Sequence, residues 1–126
     1  MRSPGERPSV LLVEDQPLIS LDLCEILTQA GYQVIGPANT TAAVRFLLQR
    51  NAPCVAIVDV FVRDGTSAEV VRELRRRNVP YLVHSRHPRD EAAASDCGTA
   101  PWLAKPACSS DLLNLLGNMR EPEMTS

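Results

Sequence analysis

Five short apolar runs divide the chain, at residues 9–13, 32–36, 54–59, 79–84 and 101–104. The central run, 54–59, is rich in β-branched residues and lies between Pro53 and the turn pair Asp64-Gly65. A run of this length and composition is typical of a strand that is buried on both faces. It ends in Asp59, which places a carboxylate at the edge where open α/β sheets bind their ligands.

Segments with a helical spacing of apolar residues follow most of these runs. A helix is expected to begin at Pro17 and to end before Gly31, because proline suits a first helical turn and glycine suits a C-terminal cap. The segment 88–97 is alanine-rich and polar, so it predicts only a weak helix. A second helix is predicted at 41–50, with Asn39 or Thr40 as its cap. A third follows a cap at Thr66 or Ser67, and the last follows a cap at Ser109 or Ser110 and runs through Met119.

The alternation of strand and helix predicts an α/β fold with one parallel sheet. Helices are expected on both faces of the sheet, because parallel strands need crossover connections. The 126 residues suffice for one domain with its own core. We expect this domain to span 8–119, with a disordered lead-in at 1–7 and a disordered tail at 120–126.

The composition of the chain limits the classes of function that we expect. Hydrophobic residues make up 44% and charged residues 22% of the chain, as in ordinary globular proteins. The net charge of −2 gives no general reason to expect nucleic acid or membrane binding, and no apolar run approaches a membrane span of roughly 20 residues. The four cysteines form no Cys-x-x-Cys pair, which fits a reducing, cytoplasmic setting.

Polar residues stand at the ends of four predicted strands. Glu14 and Asp15 follow the first strand, Asp59 ends the third, Ser85 ends the fourth and Lys105 follows the fifth. Because these strand ends share one edge of a parallel sheet, three carboxylates, a hydroxyl and an ammonium are expected to converge there. Mg²⁺, which prefers oxygen ligands, would relieve the repulsion between the carboxylates. The set matches the needs of phosphoryl transfer to a carboxylate nucleophile.

Each of these residues also has a structural interpretation. Asp15 could cap a helix, Glu14 could complement the helix dipole, and Asp59 could cap a turn. Ser85 could be an ordinary strand-end hydroxyl, and Lys105 could be a solvated loop charge. Their joint placement on successive loops of one edge favours the functional interpretation.

With these residues in order, the chain resembles the receiver domain of two-component response regulators across 8–119. The resemblance rests on Glu14-Asp15, Asp59, Ser85, Lys105-Pro106 and Trp102, which stands where the family has a Phe or Tyr. It implies a flavodoxin-like, doubly wound (βα)5 fold with a five-stranded parallel sheet in the order 2-1-3-4-5. It also implies a cis peptide bond between Lys105 and Pro106.

The resemblance also implies a role for each site residue. Asp59 would accept a phosphoryl group from a phosphohistidine of a sensor histidine kinase or phosphotransfer protein, and Lys105 would hold a phosphoryl oxygen. Ser85 would move toward the phosphoryl group and Trp102 would turn with it. The implied cofactor is Mg²⁺, or Mn²⁺ in its place, with ligands from Glu14, Asp15, Asp59 and the backbone carbonyl of Phe61. Such a domain is not an enzyme, because the only reactions that it supports are its own phosphorylation and dephosphorylation.

Two features depart from the family pattern. Arg86 follows Ser85 where receivers usually carry a small residue, and we expect it to alter the lifetime of the phosphoryl group. The segment 80–87 is a divergent version of the Pro-Phe-x-Phe-Ala-Thr-Gly-Tyr motif, which marks stand-alone receivers with an atypical fourth helix. We therefore expect a short or mobile fourth helix and low amide-exchange protection at residues 87–99.

The resulting expectation is a stand-alone response regulator. Its downstream protein partner would bind the face of the fourth helix, fifth strand and last helix, with a homodimer as an open alternative. A degenerate receiver that binds proteins without phosphorylation is the leading alternative function. A hydrolase of the haloacid dehalogenase type would need an aspartate two residues after Asp59, where Phe61 stands. The chain could also be the receiver part of a longer regulator.

Overall fold

The computed structural model describes residues 7–86, 97–98 and 100–120, apart from the side chain of residue 120. The first six elements are β1 (Ser9–Val13), α1 (Pro17–Gln29), β2 (Gln33–Ala38), α2 (Thr41–Arg50), β3 (Val55–Val58) and β4 (Phe61–Val62). The remaining described elements are β5 (Gly65–Thr66), α3 (Ala68–Arg76), β6 (Tyr81–Ser85), β7 (Trp102–Ala104) and α4 (Ser109–Arg120).

Five parallel strands form the main sheet in the order β2-β1-β3-β6-β7. This is the predicted order 2-1-3-4-5, so the flavodoxin-like fold is confirmed. The central position of β3 explains its composition, because Val55, Ala56, Ile57 and Val58 are all buried and a strand covered on both faces is mostly apolar.

Helices cover both faces of the sheet, and each face has its own hydrophobic core. Leu11 and Val13 of β1 point to the face that packs against α2 and α3, including Val44 and Leu74. Successive side chains of a strand point to opposite faces, so Val10 and Leu12 join the other core. That core contains Leu23 and Leu27 of α1 and Leu112 and Leu116 of α4.

The observed helix ends refine the predicted caps. Thr40 caps α2 as expected, and its Oγ1 accepts a hydrogen bond of 3.0 Å from the Ala43 amide. Gln16, not Asp15, is the N-cap residue of α1, and it makes no side-chain cap bond. Ser67 precedes α3, but its hydroxyl donates to the Asp59 carbonyl and caps no helix amide. α4 already begins at Ser109, so Ser109 and Ser110 are not its caps.

Several local features differ from, or lie beyond, the sequence-based expectations. β2 runs to Ala38 and contains a cis Gly36-Pro37 bond, and the Asp64-Gly65 turn lies within a small antiparallel hairpin of β4 and β5. The Lys105-Pro106 bond is cis, as expected. The predicted fourth helix at 88–97 and most of the predicted low-protection segment 87–99 lie outside the described residues. Among the helices that the structure describes, none is long and apolar enough to cross a membrane.

Candidate functional site

Strand pairing brings the predicted site residues to one edge of the sheet. The Asp59 amide donates to the Val13 carbonyl at 3.0 Å, which holds the end of β3 beside the end of β1. On the other side, the Lys105 amide donates to the Ser85 carbonyl at 3.0 Å, which fixes the loop after β7 against the end of β6. The side chains that follow these strands therefore meet although they are distant in sequence.

The ammonium of Lys105 lies at the centre of this edge. Its Nζ donates to Oδ2 of Asp59 at 2.8 Å, to Oε2 of Glu14 at 2.9 Å and to Oε1 of Gln16 at 2.9 Å. The Lys105 side chain is only 3% exposed, so these bonds form in an environment with little solvent. Lys105 is also the single lysine of the sequence. Three acceptors match the three protons of the ammonium.

Burial makes the charge of Glu14 costly. It raises the pKa of the Glu14 carboxyl above its ordinary value, and the nearby negative charge of Asp59 raises it further. The hydrogen bonds from Lys105 and from the Gln16 amide act in the opposite direction without cancelling this effect. The site thus holds more negative charge than its one ammonium balances, which is the electrostatic setting of a cation site.

Asp15 occupies the solvent-facing side of the site. Its side chain is 40% exposed, and its Oδ1 lies 3.9 Å from Nε of Arg63. Together with Glu14 and Asn39, Asp15 lines an open cavity of about 330 Å³. The cavity gives a small ion access to two carboxylates from solvent.

The donor chemistry of this edge fits Mg²⁺, which takes carboxylate and carbonyl oxygens and keeps several water ligands. Lys105 contacts one oxygen of each buried carboxylate, Oε2 of Glu14 and Oδ2 of Asp59. In the present arrangement, the described residues contain no group of three His, Cys, Asp or Glu side chains placed to hold a metal ion. A bound cation would therefore require Asp15 or one of the buried carboxylates to turn toward it.

The other predicted residues surround this centre. Ser85 is fully buried at the end of β6. Trp102 is half-buried in β7, paired in register with Val83, and packs against the core on the α2 and α3 face. Phe61 lies in the hairpin after Asp59 with 37% exposure, and Arg86 is exposed beyond Ser85.

Three further residues of the site were not predicted. Gln16 binds Lys105, Ser67 donates its hydroxyl to the Asp59 carbonyl, and His84 is buried beside the site. The position of Gln16 directly after Glu14-Asp15 was a usable signal, because its side chain starts from the same strand end. Nothing in the local sequence indicated the hydrogen bond of Ser67 or the burial of His84.

The sequence profile of the response regulator receiver domain matches residues 10–117. The chain belongs to this family. Receiver domains are signalling domains of two-component systems, and the predicted family resemblance is confirmed. The match includes every predicted site residue from Glu14 to Lys105.

Relatives of this receiver domain include two transcriptional or photosynthetic regulators. It is 31% identical over 116 residues to the photosynthetic apparatus regulatory protein RegA of Rhodobacter capsulatus, covering 89% of this chain and 62% of that protein. It is 32% identical over 108 residues to the transcriptional regulatory protein PdtaR of Mycobacterium tuberculosis, covering 82% and 52%. The chain thus spans between half and two thirds of the length of these relatives.

Solved structures share the fold of this receiver domain. The PhyR receiver domain of Erythrobacter litoralis superimposes with a TM-score of 0.84 at 19% identity, covering 98% of both chains. The receiver domain of the sensor histidine kinase PA1611 from Pseudomonas aeruginosa gives a TM-score of 0.80 at 21% identity, covering 91% of this chain and 98% of that one. That crystal structure has a magnesium ion coordinated in its active site cleft.

Proposed function

We propose that this receiver domain accepts a phosphoryl group on Asp59. The observation that carries the proposal is the contact of 2.8 Å between Asp59 Oδ2 and Lys105 Nζ at the strand edge of a receiver fold. A buried carboxylate beside a buried ammonium has both the nucleophilic oxygen and the charge that a transferred phosphoryl group needs. The phosphoryl donor is a phosphohistidine of a sensor histidine kinase or of a phosphotransfer protein.

The transfer step exchanges one bond to phosphorus for another. A carboxylate oxygen of Asp59 attacks the phosphorus, a P–O bond forms, and the P–N bond to the donor histidine breaks. The electron pair of that bond returns to the imidazole nitrogen, which takes up a proton. Lys105 donates a hydrogen bond to a phosphoryl oxygen and balances the added negative charge.

The same proposal assigns a divalent cation site to this edge. The ligands are the carboxylates of Glu14, Asp15 and Asp59 and the backbone carbonyl of Phe61, with Mg²⁺ as the ion and Mn²⁺ as a substitute. The raised pKa of Glu14 and the magnesium bound by the PA1611 receiver domain support this assignment. When bound, the ion supplies charge stabilisation for the phosphoryl oxygens.

Phosphorylation then changes the surface near β7. The hydroxyl of Ser85 moves to a phosphoryl oxygen, and Trp102 turns into the space that becomes available. The altered face of β7 and α4 binds a downstream protein, a second copy of the chain, or the next protein of a phosphorelay. We assign this activity to a domain at 8–119 that acts in the cytoplasm as a signalling unit and not as an enzyme.

Intact mass spectrometry tests the acceptor chemistry directly. Exposure to a small acyl phosphate with Mg²⁺ should add one phosphoryl group to the wild type and none to Asp59→Asn. Asp111→Asn is the matched control, because Asp111 is an exposed carboxylate of α4. It should be labelled like the wild type. Absence of the adduct, together with no Trp102 fluorescence change on adding beryllofluoride, would favour a phosphorylation-independent binding module.

Arg86 is proposed to set the lifetime of the phosphoryl group. It is exposed and directly follows the buried Ser85. Arg86→Ala should change the dephosphorylation rate, whereas Arg76→Ala on α3 should not. An unchanged rate in Arg86→Ala would remove this role.

A further inference from the structure

The hydrogen bonds of Lys105 leave no room for a phosphoryl oxygen in the unphosphorylated domain. An ammonium has three N–H donors, and Lys105 donates to Oδ2 of Asp59 at 2.8 Å, to Oε2 of Glu14 at 2.9 Å and to Oε1 of Gln16 at 2.9 Å. The proposed transfer to Asp59 requires Lys105 to donate to a phosphoryl oxygen. One of its three present acceptors must therefore leave when the phosphoryl group arrives.

The three acceptors of Lys105 are not equally easy to remove. Glu14 and Asp59 are carboxylates with exposures of 2% and 7%. Separating either of them from the ammonium would leave an uncompensated charge in a poorly solvated place. Gln16 is neutral and half-buried, so its departure leaves no charge without a partner. Of the three hydrogen bonds, the one with Gln16 therefore costs least to break.

The backbone of Gln16 is held in place, but its side chain is held by Lys105 alone. The Gln16 amide donates to Oε2 of Glu14 at 3.1 Å, and its carbonyl accepts from the amide and the hydroxyl of Ser20 at 2.9 and 3.2 Å. The side chain makes no cap bond to α1. Among the described residues, Lys105 is the one hydrogen-bond partner of its carboxamide. The carboxamide can therefore turn away while the start of α1 stays in place.

Space for the released carboxamide lies beside it. A cavity of about 290 Å³ between α1, the end of β6 and the loop after β7 is lined by both Gln16 and Lys105. The exposed residues Asp22 and Arg86 also line this cavity, so it is open to solvent. A carboxamide that leaves Lys105 can form hydrogen bonds with water there, which offsets part of the loss.

We infer that Gln16 is a positioning residue, which binds the third N–H of Lys105 in the unphosphorylated domain and yields it to the phosphoryl group on Asp59. The inference deepens the proposed function and rests on it. Because Gln16 competes with the phosphoryl oxygen, removal of its carboxamide should strengthen the binding of a phosphoryl group. A residue that only supported the site would have the opposite effect, because its removal would loosen the position of Lys105.

Beryllofluoride, which resembles a phosphoryl group, tests this exchange. Titrations at saturating Mg²⁺ compare the wild type with Gln16→Leu, and ¹⁹F NMR measures the bound ion. Gln16→Leu should bind beryllofluoride about 10-fold more tightly, the factor at the lower end of what a hydrogen bond to a charged group contributes. Gln29→Leu is the matched control, because Gln29 is exposed at the other end of α1. It should bind like the wild type.

NMR of the wild type follows the exchange directly. With ¹⁵N-labelled glutamine and lysine side chains, saturation with beryllofluoride should shift the Gln16 carboxamide signal together with that of Lys105, the single lysine of the sequence. The Gln29 carboxamide signal should stay in place. If Gln16→Leu does not fold, this spectrum still decides the question, because an unchanged Gln16 signal would overturn the inference.

The outcomes separate this inference from the proposed function. Equal affinities of the wild type and Gln16→Leu would overturn it, and would indicate that Glu14 leaves Lys105 once a cation compensates its carboxylate. Weaker binding by Gln16→Leu would also overturn it, and would make Gln16 a supporting residue. In both cases the acceptor chemistry of Asp59 stands. Failure of the wild type to bind beryllofluoride would overturn the inference, and labelling of Asp59 by the acyl phosphate would show whether the proposed function falls with it.

Discussion

At the scale of single residues, Lys105 supplies the positive charge that compensates the buried carboxylates of the site. Glu14 and Asp59 are both nearly buried, and each lies within 3 Å of the same ammonium, at 2.9 and 2.8 Å. Removing one partner of a buried ion pair leaves an uncompensated charge in a poorly solvated place. The lysine is therefore a structural residue of the domain, in addition to its proposed role in phosphoryl transfer.

Lys105→Met should lower the free energy of unfolding by about 3 kcal/mol, because the carboxylates lose the buried ammonium that compensates their charge. Urea unfolding without divalent ions measures the loss. Asp59→Asn introduced into Lys105→Met should recover part of it, since one of the two carboxylate charges disappears. Equal stabilities of the single and double variants would contradict this account.

The buried His84 predicts a pH dependence of stability. Its pKa falls from an ordinary value of 6.5 in the unfolded chain to about 4 in the folded protein, so between these values the unfolded chain binds a proton that the folded chain does not. Stability should fall as the pH decreases from about 6.5 to about 4, by at most about 3.5 kcal/mol at about 1.4 kcal/mol per pKa unit. Denaturant unfolding at several pH values should show this fall in the wild type and its absence in His84→Leu.

Glu14 affects the pH dependence of stability in the same pH range, but with the opposite sign. Its folded pKa is raised, so protonation of Glu14 favours the folded state as the pH falls. The comparison with His84→Leu isolates the histidine, because Glu14 is present in both proteins. A difference between the two proteins that does not change with pH would contradict the neutral, buried state of His84.

At the scale of elements, side chains of α3 and β6 hold the segment that precedes β7. The Tyr81 hydroxyl donates to the Cys97 carbonyl at 2.8 Å and accepts from Nε of Arg75 at 3.1 Å. Cys97 is buried, so its position is linked to the core beneath α3. This connection ties the chain leading into Trp102 to two elements that come earlier in the sequence.

Arg75→Ala should destabilise the domain by about 1 kcal/mol and speed amide exchange at residues 97–98, because it removes a partly buried hydrogen bond. Arg76→Ala is the matched control on the same helix, since Arg76 forms an exposed ion pair of 2.7 Å with Glu73. The control should change stability by no more than about 0.5 kcal/mol. Equal effects of the two substitutions would contradict the proposed connection.

At the scale of the whole molecule, the proposed cation site at the sheet edge would couple ion binding to folding. Glu14, Asp59 and Lys105 come from three different connections, so their convergence exists only in the folded state. A ligand that binds only this state must stabilise it. The proposed Mg²⁺ site therefore makes a prediction about stability that is independent of phosphorylation.

Mg²⁺ at 100 times its dissociation constant should add about 2.7 kcal/mol to the free energy of unfolding, by mass action. Asp15→Asn should remove most of this gain, because Asp15 is the proposed solvent-facing ligand. Asp111→Asn should retain it, as its carboxylate lies on the exposed surface of α4. Thermal unfolding with and without a chelator is the measurement, and an equal gain in Asp15→Asn would exclude that residue as a ligand.

The sequence by itself determined the order of the elements and the edge at which the chemistry is proposed. The buried run that ends in Asp59 is visible as an apolar segment, because a strand covered on both faces consists mostly of apolar residues. The strand-end positions of Glu14, Asp59, Ser85 and Lys105 then follow from the geometry of any parallel sheet. Local pattern and general topology are sufficient for these conclusions.

Only the tertiary structure decided which side chains touch. Gln16 and Lys105 are 89 positions apart, and their 2.9 Å hydrogen bond depends on strand order, loop path and rotamer together. The Ser67 hydroxyl likewise donates to the Asp59 carbonyl and caps no amide of α3. The local sequence does not show which of these two partners the hydroxyl binds. His84 is polar in sequence but buried in the fold, because its neighbours on α1 and the last loop arrive from distant parts of the chain.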